Sequence, residues 1–296
     1  MKIALFSRSR VEHKTNEIER IFAAIEKYNL HYCVNQEFAP IVESLIGVKI
    51  NHSQIYGDSV GEMPQNSVMV CYGGDGTILD GLHRLSGQSV AVVGINSGRL
   101  GFLASGTGAD IETIFSEIAE GTLVIERRKM LSIEGDLFEP SVHHYAANEL
   151  SVQRLGATMI SVETKVDSHP VATYYGDGVV VSTPTGSTAY SLSAGGPIVD
   201  PNCACFIISP LAPHNLSMRP LVVPNSSTIS MHIFCRQGDA AISLDNRTYP
   251  IGAQAEIKIT LSEVEFLLAT SNNISFYQTL RNKMMWGVDL RENKKE

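Results

Sequence analysis

The sequence predicts a two-part fold. An α/β domain on a parallel, Rossmann-like sheet is expected over residues 1–122, and an all-β, sandwich-like domain over 123–270. A helix and charged tail over 271–296 follow, and the helix is expected to return to the first domain. Three observations carry this reading. Strand-like apolar runs alternate with helical periodicities through the first ~120 residues. Beyond residue 123, short runs rich in Val, Ile, Thr and Tyr succeed one another between turn signals. The 296 residues also exceed what one hydrophobic core usually holds.

Taken in order, residues 2–6 read as a strand. Residues 16–28 place Ile18, Ile21, Phe22 and Ile25 at helical spacing. A strand at 31–34 and a short helix at 37–46 follow. The apolar run 67–72 is a strand, 78–85 a helix, 90–95 a buried-type strand, and 111–120 a helix closed by Gly121. Strand, helix and strand in repetition imply right-handed crossovers. In such sheets ligands sit beyond the carboxyl ends of strands, where the loops at 73–77 and 96–102 fall. The second part offers strands at 131–134, 145–153, 159–166, 171–175, 179–182, 206–209, 221–223, 228–234, 240–244, 255–261 and 264–269. The last helix is expected at 274–285, and the charged tail at 291–296 is expected to fray.

Hydrophobic content of 44% with 18% charged residues is that of an ordinary globular protein. A net charge of −8 argues against a nucleic-acid surface, so an anionic ligand must be met by local devices such as helix N-termini, a few cations or a metal. Of five cysteines, Cys33 and Cys71 lie in apolar runs, and Cys203-Ala-Cys205 lacks zinc-site spacing. Reduced thiols in a cytoplasmic protein are expected. Residues 1–6 are too short, and too soon interrupted by Arg8 and Arg10, for a signal peptide. No apolar run approaches the ~18 residues of a membrane span, so no membrane partner is expected.

The chemistry concentrates in glycine-rich loops. Gly73-Gly74-Asp75-Gly76-Thr77 follows the 67–72 strand and opens a helix. Glycines admit close approach, and the N–H groups of the opening helix face an incoming anion. A carboxylate there repels phosphate unless it binds a metal or accepts a hydrogen bond from a substrate hydroxyl, which makes the loop a phosphoryl-transfer candidate. The second loop joins Tyr175-Gly-Asp177-Gly to Thr183-Pro-Thr185-Gly-Ser187-Thr188-Ala189-Tyr190, with a short helix expected at 187–194. Its hydroxyls suit sugars, phosphates and base edges. Plain Asp-Gly and Pro-Thr-Gly turns are the alternative, weakened by the absence of any charged residue from 178 to 199. Asn148-Glu149 lies in an expected strand, where one residue could face solvent and the other make a structural bond; the Asn amide also matches an adenine edge. His214 reads as a capping or packing residue, and His143-His144 as loop. Residues 245–248 form a hairpin turn in which Arg247 is a candidate cation for a phosphate. A P-loop, a complete dinucleotide fingerprint and a nucleophile elbow are all absent.

These motifs, together with 94–103 (Gly-Ile-Asn-Ser-Gly-Arg-Leu-Gly-Phe-Leu), 191–197 and 209–214, stand in the order seen in NAD kinases, and the chain resembles that family from its first strand to its last helix. The Gly-Gly-Asp-Gly-Thr loop alone is shared with 6-phosphofructokinases and with diacylglycerol and sphingoid-base kinases; its combination with Asn148-Glu149 and 183–190 is specific. The resemblance implies transfer of the γ-phosphoryl of ATP, or of polyphosphate, to the 2′-hydroxyl of the adenosine ribose of NAD. It implies a divalent ion, Mg²⁺ or Mn²⁺, without assigning it a protein ligand, and a homo-oligomer, tetramer or dimer. Position by position it makes Asp75 the general base, with Gly76 along the substrate. Phe102 lies beside the substrate, Asn148 and Glu149 hold the adenosine end, and Asp177 binds the nicotinamide or its ribose. Thr185, Thr188, Ala189, Tyr190, Ser191, Leu192 and Ser193 line the dinucleotide site. Whether Asp75 acts as base, orienter or metal gatherer stays open. Two departures stand out: Tyr174-Tyr175 precede Gly-Asp-Gly where many relatives carry Arg or Lys, suggesting stacking in place of a charge contact, and Arg99 replaces a frequent His. The alternatives are a lipid kinase sharing the loop, disfavoured by the lack of an amphipathic membrane helix, and a non-catalytic dinucleotide-binding module, disfavoured by Asp75 and Gly76.

Overall fold

The computed structural model describes residues 1–98, 101–139, 142–236, 240–271 and 275–287. The chain divides into two compact units, Met1–Arg127 with the chain from Leu267 onward, and Arg128–Phe266.

The first unit is α/β. Its sheet runs in the order Ile55–Tyr56, His31–Asn35, Lys2–Phe6, Val68–Tyr72, Ala91–Asn96, Phe266–Thr270, Val124–Arg128, with Gly106–Thr107 branching from Ala91–Asn96. The central strands pair in parallel. Val68–Tyr72 is buried at all five positions, as expected of a strand covered on both faces. Thr15–Lys27 and Ile111–Glu120 bury Ile18, Ile21 and Ile25 with Ile111, Ile114, Phe115 and Ile118 in one core. The helix after the glycine loop spans Asp75–Arg84, three residues earlier than the sequence predicts. Gly74 is extended and caps it, its carbonyl accepting from the N–H groups of Thr77 and Ile78, so Asp75 occupies the first helical position.

Phe266–Thr270, expected in the β domain, instead joins this parallel sheet beside Ala91–Asn96. All five of its residues are buried. An unbroken apolar run marks a strand covered on both faces, which a count of short β runs does not register. The second unit therefore ends at Phe266 rather than at residue 270, and begins at Arg128 rather than 123. The last helix, Phe276–Met284, opens on a capping box between Ser275 and Gln278 and returns to the first unit, its Phe276 ring 6.2 Å from that of Phe102. The predicted start at Ile274 and the tail at 291–296 lie outside the described residues.

The second unit is two six-stranded antiparallel sheets. One runs Leu221–Pro224, Cys205–Leu211, Gly178–Ser182, Glu149–Arg154, Ala240–Leu244, Arg247–Ile251. The other runs His169–Gly176, Ile160–Val166, Ile229–Phe234, Gln254–Leu261, Leu131–Gly135, His144–Ala146. Leu150, Val152, Val179 and Val181 from the first meet Ile133, Val162, Ile229, Met231 and Ile233 from the second in a shared core. The strand predicted at 145–153 is in fact two. His144–Ala146 belongs to one sheet and Glu149–Arg154 to the other, so Asn148 sits where the chain crosses between them. Among the described residues no helix is long and apolar enough to cross a membrane.

Candidate active site

In the α/β unit the site is the loop at 73–77. Gly73 has φ +147°, and a Cβ there would fall 2.5 Å from Thr77 Oγ1, so only glycine makes this turn into the helix. Asp75 projects from the first helical turn to the segment after Ala91–Asn96. Its Oδ2 accepts from the Phe102 N–H at 2.9 Å and its Oδ1 from the Leu103 N–H at 3.2 Å. Backbone passes so close that a Cβ on Gly101 would lie 1.8 Å from Asp75 Oδ1. Lys283 of the last helix brings Nζ to 3.6 Å from Asp75 Oδ2 and to 4.7 Å from the Phe102 ring centroid. Arg8, just past the first strand, packs against Gly76 and pairs with Asp80. Gly73, Gly74, Asp75, Gly76, Thr77 and Phe102 are thus gathered in one place; Arg99 lies outside the described residues.

In the β unit the crossing at 147–149 is clamped by Asp245. Its carboxylate accepts from the N–H groups of Ala147 at 2.9 Å, Asn148 at 2.8 Å and Glu149 at 3.1 Å, and its own N–H donates to Glu149 O at 3.0 Å. The opposite side is held by Thr183, whose N–H donates to Asn148 O and whose hydroxyl donates to Ala147 O at 2.6 Å. A Cβ on Gly186 would lie 2.1 Å from Asn148 O, so the 183–186 turn lies directly on the crossing. Backbone bonding thus fixes Asn148 and Glu149, yet Asn148 Oδ1, Glu149 Oε2 and the facing Ser182 Oγ are buried without a partner. Orphaned buried polar groups are costly, and a ligand group that pairs with them relieves that cost. Burial, reinforced by the Asp245 charge, pushes the Glu149 carboxyl up to about 8, so at neutral pH it carries a proton it can donate.

The short turns Thr185–Thr188 and Tyr190–Ser193 replace the single helix expected at 187–194. Arg128 Nη1 reaches Thr185 Oγ1 at 3.5 Å, Thr188 Oγ1 donates to Thr185 O, and the Tyr190 hydroxyl donates to Gln153. Ser191 is buried against Ser209, while Ala189, Leu192 and Ser193 remain partly or wholly exposed. Asp177 pairs with Arg154 at 2.6 Å, so a cation reaches the Gly-Asp-Gly turn from the neighbouring strand although Tyr174-Tyr175 precede it in sequence. Tyr174 is buried and Tyr175 exposed, and the Tyr175 carbonyl accepts from the His214 N–H, a backbone role for His214. Arg247 donates to the Tyr145 carbonyl and lies over that ring. Sequence reasoning does not single out Asp245, Arg154, Gly101, Gly186 or Lys283; the Asp245-Asn-Arg turn and the Gly of Leu-Gly-Phe are the available signals.

Among the described residues no group of three or more His, Cys, Asp or Glu could hold a metal ion. Asp75 is the one carboxylate of the glycine loop, and Mg²⁺ characteristically keeps one or two protein carboxylates and takes its other ligands from water and substrate phosphates.

A parallel sheet that ends in a glycine-framed carboxylate, joined to a β unit presenting buried, unpartnered polar groups, defines a phosphotransferase of small nucleotides. The ATP-NAD kinase N-terminal domain matches residues 13–123 and the ATP-NAD kinase C-terminal domain residues 147–271. An NAD kinase of Christiangramia forsetii is 33% identical over 98% of this chain and 100% of its own length, and one of Cytophaga hutchinsonii is 33% identical with the same coverage. Among solved structures, an Archaeoglobus fulgidus NAD kinase in complex with ATP is 27% identical, with a TM-score of 0.74 over 96% of this chain and 99% of that one. A yeast NADH kinase complexed with NADH shares the fold, with a TM-score of 0.84 over 98% and 89% at 22% identity. The chain belongs to the NAD kinase family.

Proposed function

We propose that the chain transfers the γ-phosphoryl group of ATP to the 2′-hydroxyl of the adenosine ribose of NAD, giving NADP. The observation that carries this reading is the Asp75 carboxylate, held at the opening of a helix by the N–H groups of Phe102 and Leu103. That fixed acceptor orients an alcohol and takes its proton as the bond to phosphorus forms. Phosphoryl transfer has a loose transition state, so such positioning and charge stabilisation dominate the catalysis. Gly73, Gly74, Gly76 and Thr77 let the phosphates approach backbone N–H groups at the helix start. Mg²⁺ or Mn²⁺ bound to the ATP phosphates would supply charge neutralisation there, with Asp75 as the carboxylate of the loop.

Asn148 Oδ1 accepts from an amino or hydroxyl group of the adenosine end, and the protonated Glu149 carboxyl donates to it. Asp177, oriented by Arg154, takes the hydroxyls of the nicotinamide ribose. Tyr175 offers an exposed ring for stacking, and the segment 185–193 lines the dinucleotide, with Thr185, Thr188 and Tyr190 as its polar contacts. Arg247 and Arg99 are held as further phosphate cations. The working form is a cytoplasmic homo-oligomer.

Purified protein with NAD, ATP and Mg²⁺ is expected to make NADP. Asp75→Asn should lose most turnover, about 10²-fold or more, while NAD binding measured by calorimetry persists. Full activity in that variant removes Asp75 from the chemistry.

A further inference from the structure

The last helix, far from the glycine loop in sequence, places a cation on the carboxylate of that loop. Lys283 Nζ is 3.6 Å from Asp75 Oδ2, on an oxygen that also accepts from the Phe102 N–H, and it lies 4.7 Å from the Phe102 ring centroid. Phe276 of the same helix sits against Phe102, so the helix is seated there by an aromatic contact as well as by charge. The Asp75 side chain is 27% exposed and half-buried, while Lys283 reaches it from the solvent side, 41% exposed.

This placement answers an electrostatic difficulty. A carboxylate that must receive an alcohol proton stands beside the phosphates of an anionic donor, in a chain of net charge −8. Arg8, also at the loop, is paired with Asp80. An ammonium group 3.6 Å from Oδ2 offsets the Asp75 charge felt by the phosphates, while the Phe102 and Leu103 N–H groups keep the carboxylate in place.

We propose that Lys283 is a positioning residue for phosphoryl transfer. It offsets the Asp75 charge so that ATP can bind beside the carboxylate, and it holds the Phe102 ring in register with it. The inference rests on the proposed kinase reading. In the transfer the bond between the γ-phosphorus and the β–γ bridging oxygen breaks, and a bond from phosphorus to the ribose oxygen forms. The hydroxyl proton passes to Asp75, and Lys283 exchanges no proton in the step.

The test is a double-mutant cycle read by calorimetry of Mg²⁺-ATP binding, with NADP formation measured alongside. In the Asp75 background, Lys283→Met should weaken ATP binding roughly tenfold and lower kcat, with KM for NAD changed less than about twofold, and Lys283→Arg should restore most of both. In the Asp75→Asn background, where there is no charge to offset, the same lysine replacement should change ATP binding less than about twofold. Equal loss in both backgrounds, or no loss in the first, overturns the inference. A wild-type protein that makes NADP without this coupling sinks the inference alone. One that shows the coupling but makes no NADP sinks the kinase reading alone.

Discussion

Replacing Gly101 with alanine drives a methyl group into the Asp75 carboxylate. The added Cβ would stand 1.8 Å from Oδ1, 2.5 Å from Cγ and 2.8 Å from Oδ2, and real Cβ contacts essentially never fall below 3.0 Å. The clash is with a short side chain anchored by two backbone N–H bonds, so it cannot be relieved by swinging a flexible end away. Either Asp75 or the 101–103 backbone must retreat by about 1 Å, a misplacement that costs on the order of 10²-fold in rate. Overpacking of this kind also costs about 1–3 kcal/mol of stability. The assay is the initial rate of NADP formation with NAD and ATP saturating, beside the thermal midpoint. Gly98→Ala is the control, because among the described residues its Cβ would meet only Asn96 Oδ1, at an ordinary 3.7 Å. Gly101→Ala is expected to lose activity about 10²-fold, and Gly98→Ala to stay near wild type. If Gly101→Ala turns over within about threefold of wild type, Asp75 need not sit where the structure holds it, and its catalytic placement fails.

Asp245→Ala leaves the N–H groups of Ala147, Asn148 and Glu149 without their acceptor. At about 1 kcal/mol or more per bond, denaturant titration should show a loss of roughly 3 kcal/mol and kinetics a raised KM for NAD; an unchanged midpoint and KM would mean that the crossing is held by other bonds. Glu149 makes stability fall with pH. Below the ordinary carboxyl value of 4.5 the group is neutral folded or unfolded, and from there to about 8 the unfolded chain ionises while the folded one resists, so stability is lost across that window. Glu149→Gln should therefore flatten the thermal midpoint between those pH values and raise it at pH 8; parallel curves for the two proteins would refute the burial account.

The elements of the first unit were legible because its helices repeat at helical spacing and its strands are bounded by polar turns. Ile18, Ile21 and Ile25 point to one face, and the helix 111–120 was read to the residue because Gly121 closes it. The membership of Phe266–Thr270 was not legible from the strand itself. Pairing partners far apart in the chain leave no mark on a five-residue apolar run. The site divided in the same way. Glycines around Asp75 and Asp177 showed through because a forced backbone conformation restricts residue type. Asp245 did not show, because a carboxylate in a hairpin turn looks alike whether it faces water or collects three N–H groups from a crossing about a hundred residues away. Lys283 was hidden by the same distance, on a helix whose sequence suggests only an amphipathic surface element.

The strand Phe266–Thr270 also constrains how the molecule can be made. Until residue 270 has left the ribosome, the parallel sheet lacks the strand that lies between Ala91–Asn96 and Val124–Arg128. The first unit is therefore begun early in translation and completed late, while the contiguous span Arg128–Phe266 has all its strands available sooner. Nascent chains halted before residue 266 should expose the flank of Ala91–Asn96, an open sheet edge available for mispairing. Loss of the last few dozen residues would thus damage the first-made half of the protein rather than trim an appendage.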